Sequence, residues 1–147
     1  MKIVTKFYCY GNVEHKLYGI HWIASYSECK KKSSNGKYVI DDLKELTEII
    51  SKGLVDIGAH IFSTSGKQFE PQGVSVLIGI TESHASAHSW PEDNFMEFDF
   101  NTCNLKMNGE KLLKYLAKKI GAKKLHFSKV LRYTNSDEVV ESKSLKL

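Results

Sequence analysis

Hydrophobic positions recur at helical spacing in two segments of the chain. Residues 41–58 and residues 109–121 each carry apolar side chains three and four positions apart, as expected for an amphipathic helix with one buried face. Asp41 or Asp42 is predicted to cap the first helix, and Gly121 to end the second. The apolar positions of the two helices are Leu43, Leu46, Ile49, Ile50 and Leu54, then Leu112, Leu113, Tyr115, Leu116 and Ile120.

Shorter apolar stretches between Gly- and Asn-rich turns predict strands. Strands grouped between two helices favour an α+β fold, a two-layer sandwich in which helices pack on one face of an antiparallel β-sheet. Residues 135–147 are predicted to form a loose tail. The predicted strands cover residues 2–10, 17–27, 59–64, 74–81, 94–101 and 124–132.

Composition narrows the classes of protein. With 147 residues, 41% of them hydrophobic and 26% charged, the chain fits one domain spanning residues 1–147. We expect a cytoplasmic protein without a membrane partner, since no apolar run approaches the roughly 20 residues of a membrane helix. The three cysteines favour free thiols over a disulfide framework or a zinc site. The net charge of +4 lies largely in lysine runs without interleaved aromatic residues, so no nucleic-acid partner is predicted.

One segment concentrates reactive side chains. It reads Phe-Glu-Pro-Gln-Gly-Val-Ser from Phe69 to Ser75, and after an apolar strand Thr-Glu-Ser-His-Ala-Ser-Ala-His-Ser-Trp-Pro-Glu from residue 81 to residue 92. If the strand continues, His84, Ser86 and His88 share one of its faces, unless a turn near residue 83 breaks the alternation.

From the residues alone, several interpretations stay open. Ser, His and Trp at a strand end can form a polar edge without a reaction. A metal site at His84 and His88 lacks a clear third ligand, and no metal is predicted. A serine hydrolase would favour a Gly-x-Ser-x-Gly turn, which is missing from the sequence.

The spacing of the whole segment resembles the prokaryotic-type S-adenosylmethionine decarboxylases. That family has Phe-x-Pro-x-Gly-Val-Ser, a short strand, Glu-Ser-His, His-(Thr/Ser)-Trp-Pro-Glu and then Thr-Cys, which corresponds here to Thr102-Cys103. The resemblance extends upstream through Gly19-Ile20-His21 and Glu28-Cys29.

This resemblance implies that the chain cuts itself between Glu82 and Ser83. The products would be a β chain, residues 1–82, and an α chain, residues 83–147, whose first residue becomes a covalent pyruvoyl cofactor. The ketone of that group forms a Schiff base with the substrate amine and accepts the electrons left by carbon dioxide. By the same resemblance, Ser75 donates a hydrogen bond to the intermediate's oxygen, and His88 removes the α-hydrogen of Ser83.

The resemblance also assigns the substrate contacts. Cys103 would be the proton donor in turnover, although a lone cysteine is often only a buried small side chain. Phe69 would stack on adenine and Glu92 would hold the ribose hydroxyls. The implied substrate is S-adenosylmethionine, decarboxylated for spermidine synthesis by a homodimer of processed αβ protomers. A pyruvoyl-dependent arginine or ornithine decarboxylase of the same family is the alternative, and a non-catalytic regulatory subunit is a third hypothesis.

Four positions depart from the family pattern, at Ser25, Lys67, Ala85 and Ala87. None belongs to the self-cleavage set. We expect these departures to affect the substrate pocket, so the sequence supports self-cleavage more strongly than it supports one substrate.

Overall fold

The computed structural model describes residues 9–10, 13–14 and 16–147. Helix α1 spans Leu43–Asp56 and helix α2 spans Gly109–Ile120. In the described part of the chain, neither helix is long and apolar enough to cross a membrane. The strands are β1 Cys9–Tyr10, β2 Val13–Glu14, β3 Leu17–Ser27, β4 Ile61–Gln68, β5 Val74–Ile80, β6 Ser83–Trp90, β7 Phe95–Thr102, β8 Lys124–Tyr133 and β9 Asp137–Lys146.

Strands β3 to β9 form one seven-stranded sheet in the order β4-β5-β6-β7-β3-β8-β9. Every neighbouring pair in it is antiparallel. Strand β3 therefore lies between β7 and β8, two strands that follow it much later in the chain. Strands β1 and β2 pair with each other in a separate hairpin, and residues 2–8 of the strand predicted over residues 2–10 lie outside the described residues.

Both helices cover the same face of the sheet, as predicted. On β3, Trp22 and Tyr26 are buried beneath α2. The Tyr26 hydroxyl donates a hydrogen bond of 3.0 Å to the Leu113 carbonyl oxygen, which satisfies the polar end of a buried ring. A Cβ at Gly109 would come within 2.3 Å of the Trp22 side chain, so glycine allows this close approach. The α+β sandwich is confirmed, and the opposite face of the sheet, called here the open face, has no helix among the described residues.

The helix ends follow the predicted chemistry. The Asp42 carboxylate accepts a hydrogen bond of 3.0 Å from the Glu45 backbone N–H and caps α1. Gly121 ends α2 with a φ of 69°, a conformation that glycine adopts without strain. Asp41, the other predicted cap, instead accepts a hydrogen bond of 2.8 Å from the Gly73 N–H and anchors the loop before β5.

The predicted loose tail is wrong. Residues 137–146 form strand β9, which pairs along the length of β8. Its side chains are largely exposed on both faces, so no hydrophobic alternation marks the strand in the sequence. Backbone hydrogen bonds to β8, together with an ion pair of 2.9 Å between Arg132 and Asp137, hold it in place.

Candidate active site

The bond between Glu82 and Ser83 lies at the tip of the β5–β6 hairpin. Ile80 pairs with Ser83, so only Thr81 and Glu82 form the turn. Ser83 has a φ of 149°, in the region that favours glycine and costs other residues about 1–3 kcal/mol. The backbone is therefore strained at the serine that directly follows the predicted scissile bond.

The Ser83 hydroxyl and the Glu82 carbonyl are both held by defined partners. Ser83 Oγ lies 3.0 Å from His84 Nδ1 and accepts a hydrogen bond of 3.3 Å from Asn101 Nδ2. The Glu82 carbonyl oxygen accepts a hydrogen bond of 2.9 Å from the Cys103 backbone N–H. A hydroxyl, an imidazole nitrogen and an N–H donor to the carbonyl oxygen therefore meet at one peptide bond, the groups that an acyl shift requires.

The Glu82 side chain is fixed on its other side by His60. The carboxylate accepts a hydrogen bond of 3.1 Å from the His60 N–H, and its second oxygen lies 2.6 Å from His60 Nδ1. The hydrogen bond from the His60 side chain lowers the pKa of the Glu82 carboxyl from its ordinary value. The His60 carbonyl also accepts a hydrogen bond of 2.8 Å from Thr81 N–H, so one residue braces both positions of the turn.

The two cysteines with described side chains differ sharply. Cys29 is buried, and burial raises the pKa of its thiol to about 12, which keeps it unreactive. Cys103 is exposed, beside the carbonyl of Glu82. The alternative that Cys103 is a buried small side chain is therefore wrong.

A second cluster contains the other predicted residues. Ser75 Oγ lies 2.9 Å from His88 Nδ1, across the β5–β6 ladder. Both line a cleft of about 390 Å³ together with Phe69 and Glu92. Phe69 is 42% exposed and lines the cleft.

The departures from the family pattern fall in different places. Ala85 and Ala87 are buried on the helix side of the sheet and do not line the cleft, so the expectation that they affect the pocket is wrong for these two positions. Lys67 pairs with Ser75 on β4 and β5, and its Nζ lies 5.3 Å from the centre of the Phe69 ring. Of these three, Lys67 alone is beside the cleft.

In one chain the two clusters do not meet. Ser83 begins β6 and His88 lies five residues further along the same extended strand, a separation of about 16 Å at about 3.3 Å per residue. The structure brings Glu82, Ser83 and Cys103 together at one end of β6. It brings Phe69, Ser75, His88 and Glu92 together at the other end.

Sequence reasoning did not assign roles to several residues near Ser83. His84 lies in the segment from residue 81 to residue 92, but the family resemblance assigns the role of base to His88. Asn101 lies near the end of the alternating strand β7 and carries no distinctive signal, and only its pairing with His84 places it at the site. His21 and Asp99 lie next to them, joined at 2.6 Å, with the His21 ring 6.5 Å from the His84 ring.

No group of three or more potential metal ligands occurs among the residues that the structure describes. Ser83 Oγ is within hydrogen-bond distance of both His84 Nδ1 and Asn101 Nδ2, and His21 Nε2 lies 2.6 Å from Asp99 Oδ1.

Comparison with known proteins gives consistent results. A family model described as S-adenosylmethionine decarboxylase matches residues 20–133. An S-adenosylmethionine decarboxylase proenzyme from Carboxydothermus hydrogenoformans is 33% identical over 129 residues, which cover 88% of this chain and 97% of that protein. Another, from Moorella thermoacetica, is 34% identical over 94 residues, covering 64% of this chain and 75% of that protein.

A solved structure has the same fold. The crystal structure of the adenosylmethionine decarboxylase from Aquifex aeolicus superimposes with a TM-score of 0.66 at 21% identity, covering 78% of this chain and 89% of that one. The region matched by the family model contains both clusters on β6.

Proposed function

The chain belongs to the S-adenosylmethionine decarboxylase family, and on that premise we propose that it is a self-processing, pyruvoyl-dependent enzyme that decarboxylates S-adenosylmethionine. The geometry of the Glu82–Ser83 peptide is the observation that carries this proposal. Its carbonyl oxygen is bonded to a backbone N–H, and the following serine hydroxyl lies beside an imidazole nitrogen. Both relatives are named as proenzymes, which agrees with activation by self-cleavage.

Self-cleavage requires two steps that use different groups. Ser83 Oγ first attacks the Glu82 carbonyl carbon and converts the peptide bond into an ester. A base then removes the α-hydrogen of Ser83, the ester eliminates, and hydrolysis leaves residues 1–82 and 83–147. We assign the second step to His88, whose Nδ1 lies 2.9 Å from Ser75 Oγ.

The residues around Ser83 fit a pyruvoyl group formed there. The position is partly exposed on the open face, next to the exposed Cys103 and polar Asn101 rather than inside the core. When formed, the group supplies an electron sink for the bond to the departing carboxyl carbon. We assign to Cys103 the return of a proton to the product.

Substrate binding is assigned to the cleft at the other end of β6. The partly exposed Phe69 ring offers a stacking surface for adenine. Glu92 offers a carboxylate for the ribose hydroxyls and is already oriented by a hydrogen bond of 3.1 Å from Gln72 Nε2. The cleft of about 390 Å³ is of a size that suits part of a nucleoside ligand.

In a homodimer, the two clusters that lie apart in one chain can come together across the interface. In a two-fold arrangement of the open faces, the Ser83 end of one protomer can meet the His88 end of its partner, which gives two composite sites for each pair of chains. The open face carries exposed apolar side chains at Ile23 and Leu77, 44% and 53% exposed, that such a contact would cover. The cytoplasmic location stays a prediction from the sequence.

Two measurements test the function. Intact-mass analysis of the purified protein should give two fragments, the second blocked to N-terminal sequencing. Release of labelled carbon dioxide should then be compared for S-adenosylmethionine, arginine and ornithine. Full processing with activity only on arginine or ornithine would replace the substrate assignment, and an uncut chain in an active preparation would overturn the pyruvoyl mechanism.

A further inference from the structure

We propose that His84 is the base that starts the self-cleavage, by taking the proton of the Ser83 hydroxyl while the Cys103 backbone N–H stabilises the charge on the Glu82 oxygen. The inference rests on the proposed function and deepens it. It assigns the two steps of self-cleavage to different histidines, because His84 would act before the ester forms and His88 only after it.

The hydrogen-bond directions at Ser83 support this assignment. Ser83 Oγ accepts a hydrogen bond from Asn101 Nδ2, and its other close partner is His84 Nδ1 at 3.0 Å. With the Asn101 amide donating to a lone pair, the hydroxyl hydrogen is free to point to Nδ1. A neutral imidazole with an unprotonated Nδ1 accepts that hydrogen, as a general base must.

The unusual backbone of Ser83 explains how neighbouring residues make this contact. Consecutive side chains of a strand normally point to opposite faces. At a φ of 149° Ser83 departs from regular strand geometry, and its hydroxyl turns to the face that carries His84 and Asn101. The backbone strain at this residue is therefore coupled to the alignment of nucleophile and base.

The attacked carbonyl is held from two directions. The Cys103 N–H donates to its oxygen at 2.9 Å, while His60 fixes the Glu82 side chain. A donor already aimed at the oxygen needs no reorganisation when negative charge develops there, and one such donor is worth about 100- to 1000-fold in rate.

The step balances without another reactant. The Ser83 proton moves to His84 Nδ1 as Oγ bonds to the carbonyl carbon of Glu82, and the carbonyl oxygen becomes negatively charged. The carbon–nitrogen bond then breaks, the oxygen's electron pair re-forms the carbonyl, and the Ser83 nitrogen takes the proton back from His84. The peptide has become an ester with a free amine, and no atom has been gained or lost.

His88 is not in position for this step within the same chain. Its Nδ1 is engaged with Ser75, five residues along β6 from Ser83. His84 is exposed, so its replacement removes an imidazole without opening a cavity in the core. The two histidines can consequently be tested separately.

Hydroxylamine distinguishes the two roles, because it cleaves esters much faster than peptide bonds. The variants His84→Ala and His88→Ala are produced alongside the wild type, with His126→Ala, an exposed histidine on β8, as the matched control. We expect His88→Ala to accumulate ester that hydroxylamine cuts to a fragment beginning with an unblocked serine. His84→Ala should remain a peptide that hydroxylamine does not cut, with self-cleavage at least about 100-fold slower than wild type.

Added imidazole provides the readout that a purely structural role would not change. It should restore cleavage to folded His84→Ala, whose folding is checked by thermal unfolding, and should not affect His126→Ala. Wild-type cleavage by His84→Ala, an ester in that variant, or a folded variant unresponsive to imidazole would each overturn the assignment. A wild-type chain that never cleaves would instead overturn the proposed function.

Discussion

If each active site is shared between two protomers, two inactive variants should restore cleavage when they are combined, and the fraction of chains cut can be predicted. The Ser83→Ala chain lacks the nucleophile and the His88→Ala chain lacks the base of the second step, so neither should process alone. If each site takes its nucleophile from one protomer and this base from its partner, a mixed dimer contains one intact site and one doubly defective site. The intact site lies on the His88→Ala chain.

The expected yield follows from the geometry and from mixing. A separation of about 16 Å along β6 is about five times the reach of a hydrogen bond, so one rigid chain cannot bring its own pair together. With equal expression and random pairing, half of the His88→Ala chains enter mixed dimers. We therefore expect about half of those chains to be cut.

The assay is co-expression of the two chains with N-terminal tags of different length, followed by denaturing gels and intact-mass analysis. Each chain expressed alone is the control. Cleavage of the His88→Ala chain by itself would show that His88 is not the base of the second step. Its failure to be cut in the mixture, while wild type processes fully, would show that the reacting groups come from the same chain. Either result would remove the structural argument for a shared site.

Four further outcomes are expected. Ser83→Ala should give an uncut, folded chain on denaturing gels, since no hydroxyl remains to start the acyl shift. Cys103→Ala keeps its backbone N–H, so cleavage should persist by mass analysis while carbon dioxide release falls at least about 100-fold; equal loss of both would contradict the proton-donor role. The hydrogen bond from His60 lowers the pKa of the Glu82 carboxyl from 4.5. The contribution of this contact to the free energy of unfolding is therefore complete above pH 4.5 and is lost as the pH falls through the lowered pKa. Urea unfolding in a Ser83→Ala background should therefore be less sensitive to acid when His60→Ala is added. Phe98→Ala, at a side chain only 1% exposed, should cost about 3–5 kcal/mol of unfolding free energy by the same method.

The sequence predicts both helices and most strands of the sheet because each buries one face, but it does not predict the central strand β6 as a strand of its own. Strand β3, for example, spans the predicted residues 17–27, and its alternating side chains pack against α2. Strand β9 could not be found this way, because a largely exposed edge strand has no apolar face to mark it. Its existence depends on pairing with β8, a tertiary contact that local pattern does not encode.

The motif spacing identified both halves of the site but not their separation. Ser75 and His88 pair because the hairpin turns over Thr81 and Glu82, two residues without the Asn-Gly or Asp-Gly signal of a tight turn. Once that turn is placed, the register follows directly. The sequence does not predict the contact between His84 and Ser83, because ordinary strand alternation places consecutive side chains on opposite faces. Only the φ of 149° at Ser83 brings the two side chains together.

Cutting a chain with this strand order produces interleaved fragments. Residues 1–82 would supply β3, β4 and β5 of the sheet, and residues 83–147 would supply β6 to β9. Strand β3 of the first fragment would then be hydrogen-bonded between β7 and β8 of the second. The fragments could separate only by breaking hydrogen-bonded ladders on both sides of β3. Assembly that began as the folding of one molecule would become, after the cut, a bimolecular association. An unfolded mature enzyme would thus regain its structure in a concentration-dependent way, while the uncut precursor would not.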